Sequence, residues 1–231
     1  MKGPTEYEKF KLIRPLPRGF KKDERGFPSL KRDDFSDIDW NAIRFTSFSN
    51  ISQVDDYSQT IVLMFHYDEV LNRIWNDPVK YVDKFGKFMA VATPDFSAYT
   101  NMEPIQIEHN IYKNRWLGCL YQSLGVRVIP TITWADEKTY DVCFCGIPQG
   151  SVVLISTVGC VHFQEQFLKG FNEMRKRINP SLILVRGKMI DGMTGNLVFI
   201  DFEETFNVKV EFEQMQLFQM DRVLHICKEG K

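Results

Sequence analysis

Apolar, β-branched runs alternate with polar clusters along this chain, and the order repeats in one direction. The run at 60–65 ends in His66, Tyr67 and Asp68, and the run at 88–92 ends in Thr93, Pro94, Asp95, Phe96 and Ser97. Residues 126–132 lead into Thr133, Trp134, Ala135 and Asp136, and residues 152–155 lead into Ser156, Thr157, Val158 and Gly159. Buried parallel strands read as continuous apolar runs, and ligands in α/β folds gather just beyond their carboxyl ends. The pattern predicts one polar rim made of successive βα loops, with Asp68, Asp95, Asp136 and Ser156 at the same end of one sheet.

Between these runs the period changes to that of helices. Val70, Leu71, Ile74, Trp75, Tyr81, Val82 and Phe85 recur near helical spacing, broken at Asp77 and Pro78, and Pro78 fits the first turn of a second short helix. A helix is expected from Pro104 to Gly125. Another spans 163–178, where Phe163, Phe167, Phe171, Met174 and Ile178 form an apolar stripe. Residues 44–48 and 181–185 read as further strands. The turn-rich stretch 191–196 precedes the apolar run 197–200, which suits a hairpin or a long loop before a strand better than another βα unit. Residues 208–212 alternate as an exposed edge strand would.

Residues 1–43 form an irregular basic leader, and Phe10, Phe20, Phe27, Phe35 and Trp40 give it the means to pack on the body. Residues 44–231 then make a single α/β domain with a hairpin-like C-terminal part. The expected architecture is a mainly parallel sheet of about six or seven strands, a modified or incomplete TIM-like barrel, since eight regular units cannot be counted. A doubly wound open sheet is the alternative.

Composition bounds the setting. A length of 231 residues with 44% hydrophobic and 26% charged residues suits one soluble globular domain with a sizeable core. No apolar run reaches the ~18 residues of a membrane span, and the first residues lack the apolar stretch of a signal peptide. The expectation is a cytoplasmic protein without membrane contact. The formal charge of −1 gives no general attraction to nucleic acid, although residues 1–34 carry ten Lys/Arg against six Asp/Glu. Nucleic-acid binding through this leader therefore ranks third among the functional readings. The five cysteines are odd in number and include no CxxC pair. Cys143 and Cys145 share a face if the stretch is extended, and they read as buried free thiols, with no metal set.

The rim supplies the candidate chemistry. Asp95 and Asp136 suit acid/base work or metal ligation, and His66 suits a base near neutral pH. Helix capping is the competing role for Asp68 and Asp136, each just ahead of a predicted helix. It explains Asp95 less well, because several residues separate Asp95 from Pro104. Ser156, Thr157 and the amides through Gly159 resemble a phosphate cradle, and Arg186 would supply charge. Trp134 offers a stacking face, with core packing as the competing account. Ser97, Tyr99 and Thr133 share the rim loops as ligand contacts. Arg115, mid-helix, either reaches over the rim toward Asp95 or forms an ordinary surface ion pair.

The sequence resembles an uncharacterised family of bacteria and their phages, the domain of unknown function numbered four-four-one-seven. The resemblance rests on Thr93, Pro94, Asp95, Phe96, Ser97, Ala98 and Tyr99, on Asn114, Arg115, Trp116, Leu117 and Gly118, and on Val128, Ile129, Pro130, Thr131, Trp134, Ala135 and Asp136. It continues through residues 146–151 and 155–159 and spans roughly residues 55 to 190. It implies a phage or mobile-element setting, in which defence or anti-defence contexts arise, and it brings no activity or cofactor. Two functional readings follow. The first is a protein that binds or processes a nucleotide or other phosphorylated small molecule at the rim. The alternative is a non-catalytic module that sequesters a ligand or docks on a partner protein.

Overall fold

In the computed structural model, which describes residues 3–160 and 162–200, the apolar runs become strands that lie parallel to their neighbours. Strands β3 (Arg44–Ser47), β4 (Thr60–Leu63), β5 (Ala90–Ala92) and β6 (Val128–Ile129) form one sheet. Strands β7 (Val152–Ser156), β8 (Leu182–Arg186) and β9 (Leu197–Ile200) form another. A parallel bridge between Thr131 and Leu154 joins the two, with the Ile132 amide donating to the Leu154 carbonyl at 2.8 Å. The run at 126–132 therefore does not pair as one strand. Pro130 has no N–H for a ladder, so β6 ends before it and the chain turns to its other neighbour just beyond. Strand order follows chain order from β3 to β9, and among the described residues no ladder joins β9 to β3.

Alternation along the strands sorts their side chains to two faces. Ile61, Leu63, Ala90, Ala92, Ile129, Leu154, Leu184 and Ile200 meet in a single apolar layer shared by both sheets. The alternate residues face helices. Val62, Val91 and Val128 pack with α2 (Asp68–Asn76) and α4 (Pro104–Ser123), through Leu71, Ile74, Trp116 and Leu117. Val153, Ile155, Ile183 and Val185 pack with Phe167, Phe171, Met174 and Ile178 of α6 (Gln164–Ile178). Each fully buried Leu, Ile or Phe contributes about 1.5–3 kcal/mol relative to exposure, so the α6 stripe anchors that helix firmly.

Several local expectations change. Pro78 does not open a helix; it sits in a turn, and α3 (Val82–Phe85) starts later. Cys143 ends a one-turn helix, α5 (Tyr140–Cys143), so the stretch is not extended. Strand β9 is parallel to β8, which rules out a hairpin there and leaves a ten-residue irregular connection. The alternating run at 208–212 and Cys227 lie outside the described residues. The leader is partly regular: α1 (Glu6–Ile13) has a Thr5–Glu8 capping box, and β1 (Lys21–Lys22) pairs antiparallel with β2 (Pro28–Ser29). It packs on the body. Trp116 donates to the Arg14 carbonyl at 3.0 Å, and the Arg14 guanidinium lies 4.0 Å over the Trp75 ring. No described helix is long and apolar enough to cross a membrane.

Candidate functional site

Because the strands are parallel and the two sheets are bridged, the loops after β4, β5, β6, β7 and β8 all leave from one end. The shared apolar layer gives way there to polar side chains. Ser156 and Arg186 are register partners and follow Leu154 and Leu184 on the same face. Arg186 is buried at 8% exposure and its guanidinium lies 4.7 Å over the Phe65 ring.

Asp95 and Arg186 bring charge to this mouth. Burial pushes the Asp95 carboxyl up to about 7, a rise that Arg186 opposes and Asp68 reinforces. Burial likewise lowers Arg186 to about 10, against the pull of Asp95. His66 joins the group from the loop after β4. Its Nε2 is 2.8 Å from the Ser47 hydroxyl and 3.3 Å from that of Ser49. Burial, with the nearby Arg186 charge, depresses it to about 4, so the ring is neutral at pH 7. Of the two groups, Asp95 is the one matched to proton exchange at neutral pH. Cys160 lies close enough to Asp95 that the carboxylate adds to the burial-driven rise of its thiol.

Asp68 does not cap a helix. It is the first residue of α2, with Tyr67 at the cap position. Its Oδ1 accepts from the Ser97 amide at 2.9 Å and the Ser97 hydroxyl at 3.0 Å, and its Oδ2 accepts from Asn110 at 3.3 Å. Helix α4 underpins this loop with three side chains at i, i+3 and i+4. Asn110 also donates to the Ser97 carbonyl at 2.7 Å, and Asn114 donates to the Pro94 carbonyl at 2.8 Å. Lys113 donates to Asn72 at 3.1 Å, with its ammonium 3.7 Å over the Phe96 ring. Burial lowers Lys113 to about 8, opposed by Asp68. The sequence reading missed Asn110 and Lys113. Their signal was a polar stripe, 110, 113 and 114, inside a helix whose flanking positions are apolar.

The other candidates divide. Arg115 neither reaches the rim nor pairs at the surface. It is fully buried and donates to backbone carbonyls of Cys143 at 2.6 Å, Cys145 at 2.9 Å and Thr131 at 3.5 Å, and to the Asn114 side chain at 2.5 Å. Trp134 is half-buried between Phe167, at 5.2 Å, and Phe144, at 5.8 Å. A Cβ on Gly170 would fall 2.0 Å from its indole nitrogen, so the ring is seated on α6.

Asp136 organises a turn: its carboxylate accepts from the Lys138 amide at 3.1 Å and its carbonyl from the Thr139 amide at 2.9 Å. It lines a separate surface groove of about 550 Å³ with Glu137, Lys138, His162 and Phe163. In the Ser156–Gly159 turn most donors are engaged internally. The Thr157 amide and the Val158 amide bond the Arg186 carbonyl and the Ser156 hydroxyl, and the Thr157 hydroxyl donates to Lys188 at 2.7 Å. Gly159, at φ +83°, is exposed. Helix α6 begins only at Gln164. Thr133 is half-buried and Tyr99 is 59% exposed. Among the described residues no three His, Cys, Asp or Glu side chains gather as a metal set.

Two phage proteins resemble the chain. It is 42% identical over 118 residues to the "Gene 1 protein" of Mycobacterium phage L5, an alignment covering 50% of this chain and 52% of that one. It is 32% identical over 154 residues to the "Gene 1 protein" of Mycobacterium phage D29, covering 65% of this chain and 54% of that one. The chain thus spans about half the length of the curated relatives it matches. No solved structure matches it. Residues 22–203 match one family throughout, and the chain belongs to the family described as Domain of unknown function (DUF4417).

Proposed function

We propose that the chain binds a phosphorylated small molecule at the carboxyl-end mouth of its sheets, in the cytoplasm, and exchanges a proton with it through Asp95. The observation that carries this reading is the juxtaposition of Asp95 and Arg186 where the shared apolar layer ends. Arg186 is the anion anchor, assisted by the Gly159 amide, and Asp95 is the acid/base group. The layer shared by both sheets, with helices outside it, supports an incomplete barrel, in which inward residues at the strands' carboxyl ends carry the chemistry. The half-buried seat of Trp134 on α6 favours another residue as the ring platform. If the ligand is a nucleotide, its base stacks on Tyr99, the exposed aromatic of the Asp95 loop.

Calorimetry with inorganic phosphate and a panel of nucleotides tests this. Arg186→Ala should weaken binding by about 1.5–3 kcal/mol, the range for hydrogen bonds to a charged group. Binding unaffected by Arg186→Ala, or no binding at all, would reject it. The second reading, a protein-docking module, is favoured by one observation: Tyr67, Tyr99, Val158, Phe163 and Met189, all beyond strand carboxyl ends, are exposed large apolar side chains.

A further inference from the structure

The leader carries a charged surface that the rim chemistry does not use. Arg18, Lys21, Lys22, Lys31 and Arg32 are all exposed. Among the described residues none of the five takes part in an ion pair, whereas nearby Arg25 pairs with Asp141 at 2.5 Å. The fold gathers them. Strand β1 pairs Lys21 with Ser29 and Lys22 with Pro28, and the Lys31 ammonium folds back to lie 4.4 Å over the Phe20 ring, beside Gly19. Glu24 is exposed beside Lys22, and Asp34 stands near enough to Arg32 to feel its charge, but three acids of the same stretch hold backbone or amide donors. Asp23 accepts from the Arg25 and Phe27 amides, Asp33 from Gln122 and the Val128 amide, and Asp34 from the Ser36 amide.

The position separates this surface from the mouth. Lys31 is fixed to Gln122 in the last turn of α4, and Asp33 to the amide that starts β6, so the patch lies at the amino ends of the strands. We propose that these five cations form a docking surface for the phosphodiester backbone of nucleic acid. Charge complementarity argues for this partner: the leader is basic while the rest of the chain is net acidic, so a polyanion is drawn to this side and repelled elsewhere.

Fluorescence anisotropy with a labelled 25-base-pair duplex, and with one of its single strands, tests the proposal between 25 and 200 mM salt. Binding of either form is expected, with log K falling against log salt at a slope of about −3 to −5, as about 0.7–0.9 counterions per phosphate contact requires. The triple reversal Lys21→Glu/Lys22→Glu/Lys31→Glu should weaken binding at least tenfold while retaining the wild-type thermal melt. The matched reversal Lys138→Glu/Lys169→Glu/Lys188→Glu, equal in net charge and drawn from α6 and from the loops beyond the strands' carboxyl ends, should cause much less loss. No binding at 25 mM salt, equal loss in the two triples, or tighter binding to phosphatidylserine vesicles than to either nucleic acid would overturn it.

Discussion

Arg115 and Arg186 are both buried arginines near the carboxyl ends of the strands, yet their surroundings differ in kind. All three nitrogens of Arg115 donate to fixed acceptors, three of them backbone carbonyls, from just past β6, from the last residue of α5 and from the loop after it. Arg186 lies against an aromatic face and two titratable groups, Asp95 and His66. A backbone carbonyl cannot change its charge, and burial pushes the neighbouring thiols of Cys119, Cys143 and Cys145 up, away from neutral pH, so the Arg115 cage has one state there. The Arg186 mouth has several, because Asp95 changes charge near neutral pH. Buried charge enclosed by backbone holds a loop in place; buried charge facing titratable groups can respond to a ligand or to a proton.

The largest effect that separates the two regions is on stability. Arg115→Met leaves several buried carbonyls without donors, at about 1–3 kcal/mol each, and should destabilise by about 3–5 kcal/mol in urea unfolding. Arg186→Met removes a charge that burial disfavours and replaces it with an apolar chain beside Phe65, Leu184 and Ile200. It should cost under about 2 kcal/mol. Equal losses would erase the distinction between the cage and the mouth.

This contrast was only half legible in sequence. The strand runs stood out because burial on both faces writes a continuous apolar word, and their common direction placed Asp95 and Arg186 at one end. Arg115 was misread because a single arginine within a helix looks like surface. Its acceptors come from 130–146, a stretch whose course depends on Pro130 and a one-turn helix. Asp68 was misread for a related reason: position before a helix suggests a cap, but its partner Ser97 arrives from a loop 29 residues away. Local pattern reports periodicity and propensity. It cannot report which distant backbone groups need a donor.

The next effect is pH-dependent. The Asp95 carboxyl has an ordinary pKa near 4 when unfolded and about 7 when folded. The folded state therefore binds more protons between those values. The stability associated with the protonated carboxyl is fully present below about pH 4 and is lost as pH rises to 7. Asp95→Asn mimics the neutral form. It should be more stable than wild type by about 1–3 kcal/mol at pH 8, allowing for partial solvent screening of a shift worth 1.36 kcal/mol per unit, and level with it near pH 4. Denaturant midpoints at the two pH values decide the matter. A variant destabilised at pH 8 would mean that the charged Asp95–Arg186 pair is structural, like the Arg115 cage.

His66 supplies the smallest and most discriminating effect, because its sign is opposite. Its pKa falls from the usual 6.5 to about 4 on folding. The unfolded chain then binds more protons between these values, so this contribution is present above about pH 6.5 and is lost as pH falls toward 4. Across pH 4.5–6.5 the two groups oppose each other, and wild-type stability should change little. His66→Gln retains a partner for the Ser47 hydroxyl and removes the proton uptake. What is left is the Asp95 dependence, a decline with rising pH of about 0.5–1 kcal/mol per unit at most. Asp95→Asn should show the reverse slope over the same range, since only His66 then titrates. Opposite slopes in the two variants would show two independent titrations sharing one mouth. Parallel slopes would mean that neither group carries the buried proton, and that the mouth is as fixed in charge as the Arg115 cage.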